Sequence, residues 1–572
     1  MMLVFGDHVR TCDPRAAAGE LAASLGAIGC LRPGLARHAA LVGALIDAGE
    51  LVQGLIDHAC AARDERTAIG DAGMRLLVAL AGAIDRSWSS GFAPDEPPIA
   101  ALGALLGLAA RRWPDTVELR HAEGFAFYAL YPEAYLAAAR AAPPGPRHVI
   151  GIRSIGAALA ALVAAATGSP LPQTVRPRGD PFHRRLEVAP ALVGEWVSRG
   201  ARIAIVDEGP GLSGSSFGAV ADRLEDAGVA PERLECFPSH AGELGPAASD
   251  RHRQRWARLP RHVVDADALL VRGGALAGWI AELVGPLVAP LEDISAGAWR
   301  AKHFRSEAEW PACVIHQERR KLLAQTGDAT WLARFVGLGR DGERALARAQ
   351  LLHRAGFTPE VAGLCHGFLI ERWLAATPLA LADLDRAGRR RLVDRVGEYL
   401  GFRARELVAD ADRGASLDRL AEMIRRNAEL ALGAAPAVRG SPAELAPRVR
   451  RIEIDGRLHA WEWLVSPGGA LIKADAIDHH AAHDLVGCQD ITWDLAGAAV
   501  ELGLSAAEQR RIAAIAAETC GRPVDPELLA FARPCYLAFQ LGRHALAATT
   551  GGSEAIRLRA AADRYARQLA AT

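Results

Sequence analysis

Between residues 147 and 237 short apolar runs alternate with Ala-rich helical segments, and no other feature restricts the fold as strongly. "RHVIGI" (147–152), "QTVRP" (173–177), "ARIAIVDEG" (201–209) and "RLECFPSH" (233–240) read as strands. "GAALAALVAAATG", "PALVGEWVSRG" and "SFGAVADRLEDAGV" read as the helices between them. Short apolar strands separated by helices imply an α/β sheet, whose parallel strands need crossover connections.

The rest of the chain reads differently. Residues 14–112 carry helical periodicity with no clear strand, and Pro114 ends the last helix. "EGFAFYALYPEAY" (123–135) has aromatics at alternating spacing, read as a packed strand; Phe125, Phe127, Tyr128, Tyr131 and Tyr135 could also stack on a ring. "GELGPAASDRHRQRWARLPRH" (242–262) reads as a loop or insertion. From about residue 300, "TWLARFVGLG" and "GFLIERWL" read as strands around the helix "ERALARAQLLHRAGF". Long helices follow, interrupted by the strand-rich patch 451–478. A chain of 572 residues exceeds one hydrophobic core. Three parts are expected: an α-helical region 1–114, an α/β domain 115–295 and an α+β domain 300–572.

Lys plus Arg number 66 against 67 acids, so no global field favours nucleic acid or a membrane surface. Small-molecule partners are expected, and homodimerisation is left open. The nine cysteines are scattered without CxxC, which argues against a disulfide framework or a Cys-ligated zinc site. No basic-then-apolar leader opens the chain, and the apolar run at 100–113 is short, so a cytoplasmic protein is expected.

Residues 203–217, "IAIVDEGPGLSGSSF", place two acids at the mouth of a Gly/Ser loop. A strand delivering such a loop to a helix N-terminus is an anion cradle. Gly209, Gly211 and Gly214 permit close backbone approach, and Ser213, Ser215 and Ser216 add hydroxyl donors. The pattern is neither a P-loop nor GxGxxG. Two acids beside an anion loop fit a ligand that also carries hydroxyls or Mg²⁺.

That combination resembles the type I phosphoribosyltransferase signature, with an extra residue before the loop and Ser in place of Thr. The resemblance implies that Asp207 and Glu208 hold the ribose of phosphoribosyl pyrophosphate, and that Ser213 to Ser216 hold its 5′-phosphate. It assigns Arg153 and Ser154 in "VIGIRSIGAALA" to the pyrophosphate. "VRPRGDPFHRR" (175–185), with Arg176, Arg178, Arg184 and Arg185, becomes a mobile basic flap.

"HGFLIERWLAATPL" (366–379) resembles the hinge of aminoglycoside-phosphotransferase-like kinases, of protein-kinase-like fold, with Glu371 as the hinge acid. That resemblance makes Asp475 the Mg²⁺-binding acid and puts Glu462 at the position of the second metal ligand. Arg334 is the cation nearest the small-lobe lysine position. The family's HGDxxxxN segment is missing, and Asp455 and His459 are the nearby candidates. Asp490 and Asp494 are structural acids, with Asp494 expected to cap the helix "LAGAAVEL". "DAIDHHAAHD" (475–484) also offers a zinc set of His479, His480 and His483 beside Asp478 and Asp484.

Together the resemblances imply Mg²⁺-dependent phosphoribosyl transfer, a glycosyltransferase chemistry, onto an unidentified acceptor. The kinase-like part would phosphorylate the same molecule with ATP. Two alternatives are a small-molecule phosphotransferase with a nucleotide-sensing α/β domain, and a non-catalytic nucleotide-binding scaffold.

Overall fold

The computed structural model describes residues 4, 6, 9–198, 200–436, 439–466, 468–482, 484–550 and 552–572. The first part is built from α1 (Pro14–Cys30), α2 (Leu35–Ala59), α3 (Ala68–Ser89) and α4 (Ile99–Ala109). Asp13 and Thr67 cap α1 and α3 by accepting from Arg15 N and Gly70 N. β1 (Val9–Cys12) pairs antiparallel with β2 (Val117–Arg120), tying the start of the chain to the entry of the α/β part. Among the described residues, α2 alone is long and apolar enough to cross a membrane, by length and composition; most of it is buried inside the protein.

The aromatic stretch expected as a strand forms two short helices instead, α5 (Glu123–Phe127) and α6 (Pro132–Ala141). Pro132 at the first turn of α6 starts a helix rather than extending a strand. Tyr131 and Tyr135 are core residues in this arrangement.

The parallel sheet contains β3 (Arg147–Ile152), β4 (Gln173–Val175), β5 (Arg202–Val206) and β6 (Leu234–Phe237). Its order is β4-β3-β5-β6 with every pair parallel. α7 (Gly156–Thr167), α8 (Pro190–Ser198) and α9 (Ser215–Asp226) make the crossovers. Strand order reverses between β3 and β5, so a crevice opens at their carboxyl ends. Gly151 lets β3 pass close under α7: a Cβ there would lie 2.3 Å from Gly156 O. The stretch expected as a loop holds a nine-residue helix, Asp250–Arg258, capped by Ser249. The cap Ser followed by Asp at the first helical position is the signal that the Pro/Gly-rich surroundings obscured.

The third part begins with an antiparallel five-stranded sheet. It comprises β7 (Glu292–Asp293), β8 (Lys321–Gln325), β9 (Thr330–Phe335), β10 (Val361–Cys365) and β11 (Phe368–Arg372), ordered β10-β11-β9-β8-β7. A segment through β12 (Thr377–Pro378) leads to a helical lobe that carries the hairpin β13 (Trp463–Val465) and β14 (Leu471–Lys473). This is a two-lobed α+β body.

The hydrophobic cores cut across these sequence segments. Leu322, Ala324, Ala333, Phe335, Phe368 and Ile370 of the antiparallel sheet share one core with α1 to α4, α6 and α7. The helical lobe has a second core, which also takes Leu369 and Val336. The other face of the parallel sheet has a third. Strand alternation explains the division: Phe368 and Ile370 point one way and Leu369 the other.

Candidate functional site

A cleft lies where the end of β14, the 454–457 loop and the turn before β8 meet, with Phe127 and Tyr128 of the α5 end on its rim. Asp475 follows β14 in a left-handed conformation, φ +49°. Three cations and one imidazole surround its carboxylate. Arg334 donates to Oδ1, while Lys321 Nζ and His479 Nε2 stand 3.5 Å and Arg457 Nη1 3.8 Å from Oδ2. Despite burial, Lys321 and Arg334 hold Asp475 well below the ordinary carboxylate range. Arg334 is itself buried and also meets Glu371 and Asp478, each at 3.3 Å.

Glu462 is equally engaged. Lys473 Nζ lies 2.8 Å from one oxygen and Arg457 Nε 3.1 Å from the other. Arg457 therefore bridges the two acids that the kinase resemblance assigns to Mg²⁺. Magnesium needs free hard-oxygen lone pairs and near-octahedral space. With guanidinium and ammonium groups already on both carboxylates, this donor set does not fit Mg²⁺. Asp455 is no base for the cleft either: it is buried, accepts from Tyr399 and lies 3.5 Å from Lys473. His459 is buried and held neutral, first by desolvation and then by Arg457 and Arg564.

Asp494 does not cap its helix. Asp490 does, accepting from Thr492 N, and the helix Ile491–Glu501 starts four residues earlier than expected. Asp494 faces inward and accepts from Asp455 N and Gly456 N at 2.8 and 2.9 Å, fixing the loop that presents Arg457. The zinc reading of 475–484 is divided. Asp475, Asp478 and His479 lie within 4.8 Å of one another, but Asp478 is paired to Arg319 at 3.0 Å and to Arg334. His480 is buried beside Arg348 and Glu453, Asp484 binds Gln317, and His483 lies outside the described residues.

The residue that sequence reading missed is Arg543, on the long helix Pro526–Thr550. It is 9% exposed, lines the cleft and donates to Gln317 Oε1 at 2.6 Å. Among the described residues no carboxylate pairs with it. Burial and then the nearby Arg457 depress its pKa, while Asp484, reached through Gln317, acts the other way.

The crevice of the parallel sheet collects the other candidates. Gly156 stands against Asp207: a Cβ on it would lie 3.1 Å from Oδ1. Tyr135 Oη donates to Asp207 O at 2.9 Å. Ser213 and Ser215 hydroxyls both donate to Pro181 O, at 3.3 and 2.7 Å, so the loop and the 175–185 segment are closed on each other. Gly214 takes φ +60° at the start of α9, while Ser154, Gly211 and Ser216 retain solvent access. Burial and then Glu208 push the Asp207 carboxyl well above the ordinary carboxylate range, with Arg184 opposing them only weakly.

The other arginines are committed elsewhere. Arg153 is buried, bound to Asp64 and, at 2.9 Å, to Asp57; Arg176 also binds Asp57. Arg178 donates to Cys60 O at 2.5 Å and to Ala61 O. The expected pyrophosphate arginine, with Arg176 and Arg178 of the expected flap, thus anchors the α/β part to the end of α2 and the loop after it. Asp57 and Asp64 lie about a hundred residues upstream, which hid the pairing from a local motif.

Glu208 sits against α5: a Cβ on Gly124 would lie 2.8 Å from its carboxyl carbon. Burial and then Glu123 raise its pKa from 4.5 to about 8. Its folded-state pKa is the higher one, so the native state holds the extra proton and loses stability as pH rises from about 4.5 to 8. Denaturant titrations of wild type and Glu208→Gln should therefore diverge across that window. The variant should gain on the order of 2–3 kcal/mol by pH 8, allowing for the partial exposure of Glu208. A pH-independent difference would refute the assignment.

No protein-family model and no curated protein matches the chain. Solved structures with similarity include choline kinase LicA from Streptococcus pneumoniae, at 16% identity and TM-score 0.28, covering 43% of this chain and 89% of that one. Spectinomycin phosphotransferase APH(9)-Ia, solved with ADP and spectinomycin, aligns at 13% identity and TM-score 0.32, covering 50% and 89%. A glucosamine kinase aligns at 16% and 0.31, covering 52% and 83%. Scores this low carry no functional argument, and none of the three speaks to phosphoribosyl transfer. Functional weight lies with the chemistry of the cleft.

Proposed function

We propose that the chain is a phosphate-ester-binding protein of the small-molecule phosphotransferase type, with side-chain cations in place of a divalent metal. The observation that carries this reading is Arg543, a buried guanidinium facing the cleft with no carboxylate partner among the described residues. A buried cation whose nearest counter-charge, Asp484, reaches it only through Gln317 is poorly compensated, and a bound anion relieves that cost. Lys321 and Arg457 flank the same space, so a phosphate entering it meets three cationic side chains. Phosphoryl transfer depends mainly on positioning and on neutralising charge over the phosphate oxygens, which guanidinium groups can supply.

Calorimetry with ATP, ADP and inorganic phosphate, each in EDTA and then in Mg²⁺, tests the proposal. Binding should persist in EDTA, and Arg543→Gln should weaken it about 10- to 100-fold, the range for a charge-assisted hydrogen bond. Absence of binding, or binding strictly dependent on Mg²⁺, would overturn it.

One observation favours a second reading. The 153–156 and 207–216 loops converge at the point where strand order reverses, the general location of ligand sites in open α/β sheets. Asp207 and Glu208 would hold ribose hydroxyls there, and Ser213 to Ser216 the 5′-phosphate of phosphoribosyl pyrophosphate. Under this reading the backbone and serines carry the phosphate, because Arg153 and Arg176 are engaged by Asp57 and Asp64.

A further inference from the structure

His38 of α2, Glu133 of α6 and His366 of the β10–β11 turn meet deep in the protein, drawn from three distant stretches of chain. All three are buried: His38 and Glu133 are 0% exposed and His366 4%. Their ligand atoms lie within 4.8 Å of one another. His38 Nε2 is 2.7 Å and His366 Nε2 2.8 Å from the same oxygen, Glu133 Oε1. The other oxygen, Oε2, is buried with no hydrogen-bond partner.

Two further facts separate this cluster from the acid groups of the cleft. Around the cleft Asp475, Asp478 and Glu462 each carry a lysine or arginine. Among the described residues, Glu133 pairs only with the two histidines. Those two imidazoles hold it below the ordinary carboxylate range against strong desolvation. A buried carboxylate needs a compensating cation, and here the fold supplies no permanent one.

His366 is fixed by the tight turn that carries it. It takes φ +40°, followed by Gly367 at φ +93°, in a two-residue hairpin turn. Such turns favour Asn-Gly, and histidine is among the few other residues enriched in the left-handed region, so the turn accommodates it. His38 is oriented from behind, with Nδ1 3.0 Å from Ser87 Oγ. Outer partners of this kind accompany imidazole ligands at metal centres. Rings of Phe92, Tyr131 and Trp279 pack against the pair.

We propose that His38, Glu133 and His366 form a binding site for a divalent transition-metal ion of the zinc class. The two Nε2 atoms and both carboxylate oxygens supply four donors. This imidazole–carboxylate set suits Zn²⁺ and Co²⁺, whereas Mg²⁺ and Ca²⁺ prefer oxygen alone. The ion would act as a structural pin between α2, α6 and the antiparallel sheet.

The test uses the full chain, stripped with EDTA and titrated with Zn²⁺ or Co²⁺. One equivalent should bind per chain by elemental analysis, Co²⁺ should develop visible d–d bands, and zinc should raise the melting temperature. His366→Asn keeps a residue suited to the left-handed turn while removing a ligand, and it should abolish the Co²⁺ bands and stoichiometric zinc. His479→Ala, which removes the histidine of the cleft groups, should leave both intact. The proposal is overturned if wild type takes up no metal, if the bands survive in His366→Asn, or if they vanish in His479→Ala.

Discussion

Replacing Asp64 by Asn is expected to destabilise the protein by about 3–5 kcal/mol, the range for removing one partner of a buried ion pair. Asp64 is 0% exposed and accepts from the Arg153 guanidinium and from Arg176 N at 2.6 Å. Its backbone is also fixed, with its N–H on Glu187 O and its carbonyl receiving Ala189 N, both at 2.8 Å. The neutral amide leaves Arg153 with Asp57 as its only carboxylate. The guanidinium would keep most of its desolvation penalty. Denaturant melts followed by tryptophan fluorescence should show an early transition absent from wild type, because the α/β part loses its anchor to the helical part. The double variant Asp64→Leu/Arg153→Met, which removes both charges, should recover much of the loss. An Asp64→Asn protein within about 0.5 kcal/mol of wild type would mean that Arg153 is free for a ligand.

Replacing Arg457 by Ala is expected to change the metal dependence of ligand binding. The guanidinium bridges Glu462 and Asp475 at 3.1 and 3.8 Å. Without it one oxygen of Glu462 is released, and Asp475 keeps Arg334, Lys321 and His479. Affinity for a phosphate ester in EDTA should fall by about 10- to 100-fold, the range for a charge-assisted contact. Millimolar Mg²⁺ should then restore part of it, while wild type remains indifferent to Mg²⁺. Calorimetry of both proteins with and without the metal measures this. Equal Mg²⁺ responses would refute the role given to Arg457.

The parallel sheet was legible because its strands are apolar on both faces and its crossovers have helical period; both are local properties. The β13–β14 hairpin was legible as part of the strand-rich patch 451–478, whereas the metal role given to the acid after it came only from the kinase resemblance. Side chains whose partners lie far off in sequence were not. Arg153 read as a pyrophosphate ligand because Asp57 and Asp64 belong to a different segment. Arg457 and Arg543 carried no motif, and their meaning depends on a cleft assembled from widely separated elements. The 123–135 aromatics fit a period of two or of three to four equally well, and only Pro132 favoured a helix. The His38, Glu133 and His366 cluster left no trace in spacing, since its members come from three separate elements.

The antiparallel sheet lies between two cores, giving Phe335 and Ile370 to one and Leu369 to the other. A fragment starting near residue 300 would inherit that sheet with one apolar face bare, a surface prone to self-association. The chain is therefore poorly divisible for engineering: its segments cannot be exchanged or expressed singly without redesigning that face. Sequence changes in α2 or α6 should be felt at the cleft although neither helix carries a residue that lines it.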